Sequence, residues 1–373
     1  MKHRSLFYFA LGCMASFGSC GSKENTSPDG AVLTYVGKTD SIDAMTFLEP
    51  MQHFIIETTD ESVIQGINRV ASSQDAYYFL DKRSHKIVAT DKLGNVKHVI
   101  DARGSGPLEY VSINDIAWDE NSNSLIILAP KKLLYVDSNG KIFKDRNLEK
   151  AYYYISTNPN GIVLAPRLNF DKEESQYALT VIDNDDRQFE VITVAKDYVP
   201  NCNVNGTTLA EWNGMTIFTH KFDNKIYCVS DTTASVAYTV DWNGHEFVPE
   251  DGVDYDCNRL MKESNEKEQV FNISEFQSGE KYMLFHSNLP GLMLADKETG
   301  EIRRINHKYD TEKGIPIPVN YAPVSGDGSM VFFIYPPEYL KMTARHSKSE
   351  WAKEMAKSIT EDSNPVILPY KLK

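Results

Sequence analysis

Short runs rich in Val, Ile, Tyr and Phe recur along the chain, separated by Asp, Asn and Gly. Tyr77-Tyr78-Phe79-Leu80, Leu125-Ile126-Ile127-Leu128, Met215-Thr216-Ile217-Phe218 and Val331-Phe332-Phe333-Ile334 are examples. Some runs alternate apolar with polar, and others are continuously apolar. The first pattern predicts half-buried strands and the second predicts strands buried on both faces. Helical periodicity is confined to two places. Residues 255–269 are polar and predict a helical insertion. Residues 337–360 carry Trp351, Met355 and Ile359 four apart, with Ala352 and Ala356 beside them, and predict an amphipathic helix packed on the strands.

The strands come in a repeat. Thr90-Asp91-Lys92-Leu93-Gly94-Asn95-Val96 matches Val136-Asp137-Ser138-Asn139-Gly140-Lys141-Ile142, and Ala295-Asp296-Lys297-Glu298-Thr299-Gly300-Glu301-Ile302 is a third copy. Each copy is a strand end, an Asp, a turn, a Gly and a new strand, the Gly supplying a positive φ. Gly94 and Gly140 are 46 residues apart, and degenerate copies follow around Asp185-Asp186 and Asp231-Thr232-Thr233. A step of roughly 45–50 residues with about four strands is the signature of a β-propeller. Five hairpins are visible. A sixth unit would use strands near 321–324, Met330–Tyr335 and 366–370, interrupted by the helical insertion. Its missing outer strand would come from the N-terminus near 54–58, closing the ring and removing an open sheet edge. The expected fold is therefore all-β, a six-bladed β-propeller with helical insertions; seven blades is the competing count.

The N-terminus has a different character. Lys2, His3 and Arg4 precede an apolar run from Leu6 to Phe17, too short for a bilayer span and of signal-peptide proportions. Phe17-Gly18-Ser19-Cys20 resembles the lipobox of bacterial lipoproteins, which implies cleavage before Cys20 and acylation of its thiol. Gly21, where an Asp would imply inner-membrane retention, favours the outer membrane of a Gram-negative cell. The expected organisation is a lipoprotein signal peptide at 1–19, a lipidated polar tether at 20–34 and the propeller at 35–373.

The phrase Gly104-Ser105-Gly106-Pro107-Leu108-Glu109-Tyr110, between two predicted strands, resembles the G-x-G-P-x-E-Y of a family of envelope lipoproteins known as six-bladed β-propeller proteins, themselves loosely similar to NHL-repeat propellers. Asn364-Pro365-Val366-Ile367-Leu368 resembles that family's ending. The resemblance spans roughly 35–373 and implies a fold and an envelope location, with no catalytic residues to carry over. In physical terms the two glycines permit tight turning, Pro107 stiffens a crossover between blades, and Glu109 accepts backbone N–H bonds or pairs with Arg103. A functional role would place Arg103 and Glu109 at the central opening.

Composition narrows the chemistry. The 373 residues carry 52 acidic and 39 basic side chains, a net charge of −13 that becomes −15 once Lys2 and Arg4 are cleaved away. That balance argues against nucleic acid, whose phosphates need a basic face. It also makes a lipid, rather than a basic patch, the membrane anchor. Cys202, Cys228 and Cys257 permit one disulfide in an oxidising envelope, with buried unpaired thiols as the default. No nucleophile elbow or zinc helix is present. Asp183-Asn184-Asp185-Asp186 lacks the Gly and final Glu of a calcium loop, and Ser325-Gly326-Asp327-Gly328-Ser329 reads as a hairpin turn. No metal or other cofactor is expected. Arg167, His220 and His286 join Arg103 and Glu109 as candidate binding residues, because side chains near inner strand ends can enter a propeller's channel. The 20 Tyr, 17 Phe and 4 Trp suit either sugar stacking or sheet packing. The leading expectation is a non-catalytic binding or scaffold protein recognising an envelope protein or a glycan. The alternative is a polysaccharide-acting hydrolase or lyase with its site at the propeller centre.

Overall fold

The computed structural model describes residues 30–39, 42–166, 176–195, 202, 206–230, 233–250, 253, 255–305, 324–325, 328–347 and 349–373. Three N-terminal strands, β1 (Ala31–Thr39), β2 (Leu48–Pro50) and β3 (Phe54–Ile55), precede six four-stranded antiparallel groups. Blade 1 holds β4 (Arg69–Ser72), β5 (Tyr77–Asp81), β6 (Lys86–Thr90) and β7 (Val96–Ile100). Blade 2 holds β8 (Asp115–Asp119), β9 (Ser124–Ala129), β10 (Lys132–Val136) and β11 (Ile142–Asn147). Blade 3 holds β12 (Tyr154–Asn158), β13 (Gly161–Ala165), β14 (Gln176–Asp183) and β15 (Gln188–Ala195). Blade 4 holds β16 (Leu209–Trp212), β17 (Met215–Thr219), β18 (Lys225–Ser230) and β19 (Thr233–Asp241). Blade 5 holds β20 (Ile273–Ser278), β21 (Tyr282–Ser287), β22 (Leu292–Asp296) and β23 (Glu301–Ile305). Blade 6 holds β24 (Val324–Ser325), β25 (Met330–Tyr335) and β26 (Val366–Leu372), completed by β2 as its outermost strand.

The innermost strands neighbour one another in order and close from β24 back to β4. Middle strands such as β5 and β9 are buried along their whole length, as their continuous apolar sequences require. The outermost β11, with Lys144, Asp145 and Arg146, is largely solvated. Core residues lie between blades rather than at the centre. Tyr78 and Leu80 of blade 1 meet Trp118 and Ile127 of blade 2. Corresponding clusters join blades 2 and 3, 3 and 4, 4 and 5, and 5 and 6. Phe332 and Ile367 of blade 6 then pack on Val70 and Phe79 of blade 1. Six inter-blade cores in a ring make the six-bladed propeller.

The N-terminal closure differs in detail from the sequence reading. The outer strand of blade 6 begins earlier than 54–58: Leu48 pairs with Leu372 and Pro50 with Tyr370, while β3 pairs farther along the same strand, Phe54 with Ile367. Asn364 fastens this region. Its side chain accepts from Ile64 N–H (2.8 Å) and donates to the carbonyls of Glu57 and Ser62 (3.0 Å each). Residues 31–34, expected to belong to a tether, are part of the folded domain, because β1 starts at Ala31. That strand lies parallel to the outer strands of two blades at once, Ala31–Thr34 against β19 and Thr34–Thr39 against β23. Leu33 and Tyr35 point into the core between blades 4 and 5, whereas Val32 and Val36 face out.

The helices are α1 (Cys257–Glu266), between blades 4 and 5, and α2 (Pro337–Ala344) and α3 (Glu350–Ser358), both between β25 and β26. Asp256 caps α1 by accepting from Arg259 N–H, and Ser349 caps α3 by accepting from Ala352 N–H. Trp351, Met355 and Ile359 pack on blade 6, so α3 is a surface helix seated on the propeller. The thiols are not all free: Cys202 and Cys257 form a disulfide, because the crossover leaving blade 3 passes the start of α1. Cys228 is free and buried. Cys20 and the signal segment lie outside the described residues.

Candidate functional site

The repeated Asp explains the hairpins chemically. Asp91 Oδ1 accepts from the N–H groups of Leu93 (2.8 Å) and Asn95 (2.9 Å). Asp137 takes Asn139 and Lys141, Asp183 takes Asp185 and Arg187, and Asp296 takes Glu298 and Thr299. One carboxylate thus satisfies two turn amides in each of blades 1, 2, 3 and 5. These hairpins share one side of the ring, the hairpin side, with the turns joining each innermost strand to its neighbour. The blade-to-blade crossovers and the helical insertions leave from the opposite, crossover side.

Innermost strands have an unpaired edge, and side chains of the neighbouring blades satisfy part of it. Asp115 at the start of β8 accepts from Ile155 N–H of β12 (3.1 Å) and lies 3.6 Å from buried Arg69 of β4. Burial raises the Asp115 carboxyl pKa, against the opposing pull of Arg69. Thr157 Oγ1 donates to Trp118 O (2.6 Å), and Asn158 Nδ2 donates to Thr216 Oγ1 (3.2 Å).

On the hairpin side the ends of these strands surround a cavity of about 310 Å³. Its wall comes from four blades: Ser72 from blade 1, Trp118 to Asn121 from blade 2, Thr157 to Pro159 from blade 3, and Glu211 with Gly214 from blade 4. Asn121 Nδ2 donates to Pro159 O (3.1 Å), and Asn184 Nδ2 donates to the same carbonyl (2.9 Å), which fixes the blade 2–blade 3 wall. Three carboxylates lie here in different states. Asp119 is committed to its own turn, accepting from Asn121 N–H, Ser122 N–H and Ser122 Oγ. Glu120 is exposed. Glu211 is half-buried; burial raises its pKa, and a hydrogen bond from Gly214 N–H (2.9 Å) works the other way. From across the ring, the turn of blade 6 approaches the same group: a Cβ on Gly328 would stand 2.8 Å from Glu211 Oε2. Trp118 is only 6% exposed and stacks on Tyr78 at 5.5 Å, so it offers the cavity an edge and not a free face.

The residues proposed from sequence lie elsewhere. Arg103 is held by Asp101 through two bonds, Nε to Oδ1 (2.8 Å) and Nη2 to Oδ2 (3.0 Å), rather than by Glu109. Glu109 Oε2 accepts from Gly106 N–H (2.8 Å), and a Cβ on Gly104 would fall 2.0 Å from that oxygen. The phrase 104–110 is therefore a crossover folded around its own glutamate, on the far side from the cavity. His220 is buried with Nδ1 2.7 Å from Lys221 O. Burial pushes the His286 imidazole down to about 4, and its Nε2 is enclosed without a partner. Neither histidine lines the cavity. Arg167 lies outside the described residues. Sequence reading missed Trp118, Asn121, Asn158 and Glu211. Their shared signal is position, each lying beside the turn after a blade's first strand, visible only once the repeat is put in register.

Among the described residues no helix is long and apolar enough to cross a membrane. A candidate exported protein of Bacteroides fragilis NCTC 9343 has a similar structure, with a TM-score of 0.73 at 15% identity over 92% of this chain and 100% of that one. A member of the DUF4221 family from Bacteroides vulgatus ATCC 8482 aligns with a TM-score of 0.50 at 10% identity, over 87% and 98% of the two chains. At such identities the likeness concerns the fold alone. No curated protein matches the sequence. Residues 34–371 match the domain of unknown function DUF4934, and the chain belongs to that family.

Proposed function

We propose that this chain is a non-catalytic binding lipoprotein of the outer membrane, anchored through Cys20, that recognises a basic segment of an envelope protein at the hairpin-side cavity. The observation that carries this reading is the half-buried Glu211 in a wall drawn from four blades. A carboxylate in a recess favours a Lys or Arg side chain, since partial desolvation strengthens the attraction. The state of Asp119 speaks against a hydrolase: its oxygens serve its own turn, so among the described residues of the wall no second recessed carboxylate is free to complete an acid–base pair with Glu211. The aromatic residues speak against a sugar platform. Tyr35, Tyr78, Tyr110, Tyr152, Tyr335 and Tyr370 are fully buried, and Phe143 alone among the described aromatic residues counts as exposed. Lipid anchoring would raise the local concentration of the domain near envelope partners.

Titration of the full chain with short Arg- or Lys-bearing peptides tests the reading. Binding to the wild type should release a proton near the raised Glu211 pKa, and binding should weaken about tenfold or more in Glu211→Gln. It should strengthen as pH rises through the raised Glu211 pKa, because only the ionised carboxylate attracts the cation. Affinity independent of both pH and Glu211 would refute the site. Turnover of a polysaccharide by the purified chain would reinstate the enzyme. In cells, Cys20→Ser should move the protein from the membrane to the soluble fraction.

A further inference from the structure

The helical insertion of blade 6 carries a second concavity of opposite charge. Lys341 and Arg345, four residues apart at the end of α2, and Lys353 and Lys357, four apart on α3, line one groove of about 380 Å³. Its floor is Ala344 and Ala356, whose methyl groups let the two helices approach. Residues four apart share a helix face, so each helix turns two cations toward the other. Lys353 and Lys357 are partly neutralised on their own helix by Glu350 (2.7 Å) and Glu354 (2.5 Å). Lys341 and Arg345 have no acidic partner among the described residues. The helix dipoles favour cations at the two C-termini, but Lys353 stands near the start of α3, where the dipole opposes it. Nor does the dipole explain why both helices direct their cations into one space. In a chain of net charge −13 this convergence is a local conflict, and such conflicts mark sites where function outweighs stability.

The geometry points to a binding site for a linear polyanion bearing phosphate or sulfate groups. The two rows place charges about 6 Å apart along each helix, which suits successive charged groups on one polymer. Long, mobile side chains around a methyl floor suit oxyanions of no single fixed geometry. The groove is concave, so it admits a chain and not the plane of lipid headgroups. The site is independent of the acidic cavity and would stand if that reading failed.

The test is fluorescence anisotropy with the full chain at low salt, using labelled polyphosphate, a heparin hexasaccharide, and phosphatidylglycerol vesicles as separate probes. Wild type should bind polyphosphate or the hexasaccharide saturably, and whichever binds identifies the oxyanion as phosphate or sulfate. The fourfold variant Lys341→Ala, Arg345→Ala, Lys353→Ala and Lys357→Ala should lose about 100-fold in affinity, roughly tenfold per pair of cations. The salt dependence should flatten by nearly one charge per residue removed. Single variants Arg345→Gln and Lys357→Gln, both exposed, serve if the fourfold variant does not fold. Lys225→Ala, exposed on blade 4, should change nothing. Absence of binding to both polymers, equal binding by wild type and the groove variants, or binding to vesicles alone would each overturn the proposal.

Discussion

Gly94 shows how much a single position can hold. It has φ +92°, as the hairpin turn requires, and a Cβ there would come within 2.5 Å of Ile55 O and 2.6 Å of Phe54 Cδ2. The first requirement is local and legible in the sequence. The second belongs to the N-terminal closure and is invisible until the ring forms. Glu109 was legible for the same reason as Gly94's turn, because its partners lie three to five residues away. The bond from Gly214 N–H to Glu211 is equally local, but the cavity that Glu211 lines was not legible, because the rest of its wall comes from other blades. Titration at this scale is also set by packing. His53 and His286 are both pushed down to about 4 by burial, against an ordinary value of 6.5. Well above pH 6.5 neither is charged, folded or unfolded. As pH falls from 6.5 to 4 the unfolded chain takes up protons that the native chain refuses, so stability is lost across that window. Each histidine contributes up to about 3 kcal/mol to the loss. Denaturant midpoints should therefore fall between pH 7 and pH 4.5, and the gap between wild type and His286→Gln should narrow by about 2 kcal/mol over that range. A gap independent of pH would show that His286 is not held neutral.

Elements were legible where their chemistry is local and obscure where their partners are remote. The Asp–turn–Gly hairpins repeat because one carboxylate serves two nearby amides, and they gave the blade period. The helix at 255–269 and the amphipathic insert were visible from polarity and period. β1 alternates like any half-buried strand, yet its partners are the outer strands of blades 4 and 5, some 200 to 270 residues further along. The cysteine pairing was likewise hidden, since it depends on two crossovers meeting on one side of the ring. The disulfide closes a loop across a separation of 55 residues and ties blade 3's exit to α1. Beside it, Phe247, Tyr255, Leu260 and Phe271 form a separate small core. Chain entropy alone assigns about 4 kcal/mol to a closure of that length. Reduction, or the double variant Cys202→Ser and Cys257→Ser, should lower the unfolding free energy by a few kcal/mol. No change on reduction, with reduced thiols verified by titration, would mean that the pair does not form in solution. Cys228, with its thiol pushed up to about 11 by burial and its sulfur 3.2 Å from Met215 Sδ, should take no part in exchange.

At the scale of the whole molecule the propeller separates its two concavities by charge and by side. The acidic cavity opens among the inner strands on the hairpin side. The basic groove sits on an insertion that leaves from the crossover side. A ring of six inter-blade cores supports both without devoting its own centre to a packed interior. The period and the strand runs predicted that ring. They could not predict the sites, because a propeller assembles its openings from residues about one blade apart, and the insertions carry no repeat.

The placement of β1 has a mechanical consequence. The strand enters at Ala31 on the hairpin side, runs parallel to two outer strands, and bonds to both along its length. A pull on the N-terminus, directed away from that side, would load these bonds together in shear rather than open them one after another. Extension in an optical trap between the N-terminus and a handle at position 108, exposed on the crossover side, should therefore show a high first rupture force for β1. The Lys38–Glu268 ion pair, which ties β1 to the 242–272 crossover, would add to that resistance. A low, gradual first extension would mean that β1 peels. If it holds, the domain can sit on a line under tension, and drag on a bound partner would be borne by the seam between blades 4 and 5 before any blade unfolds.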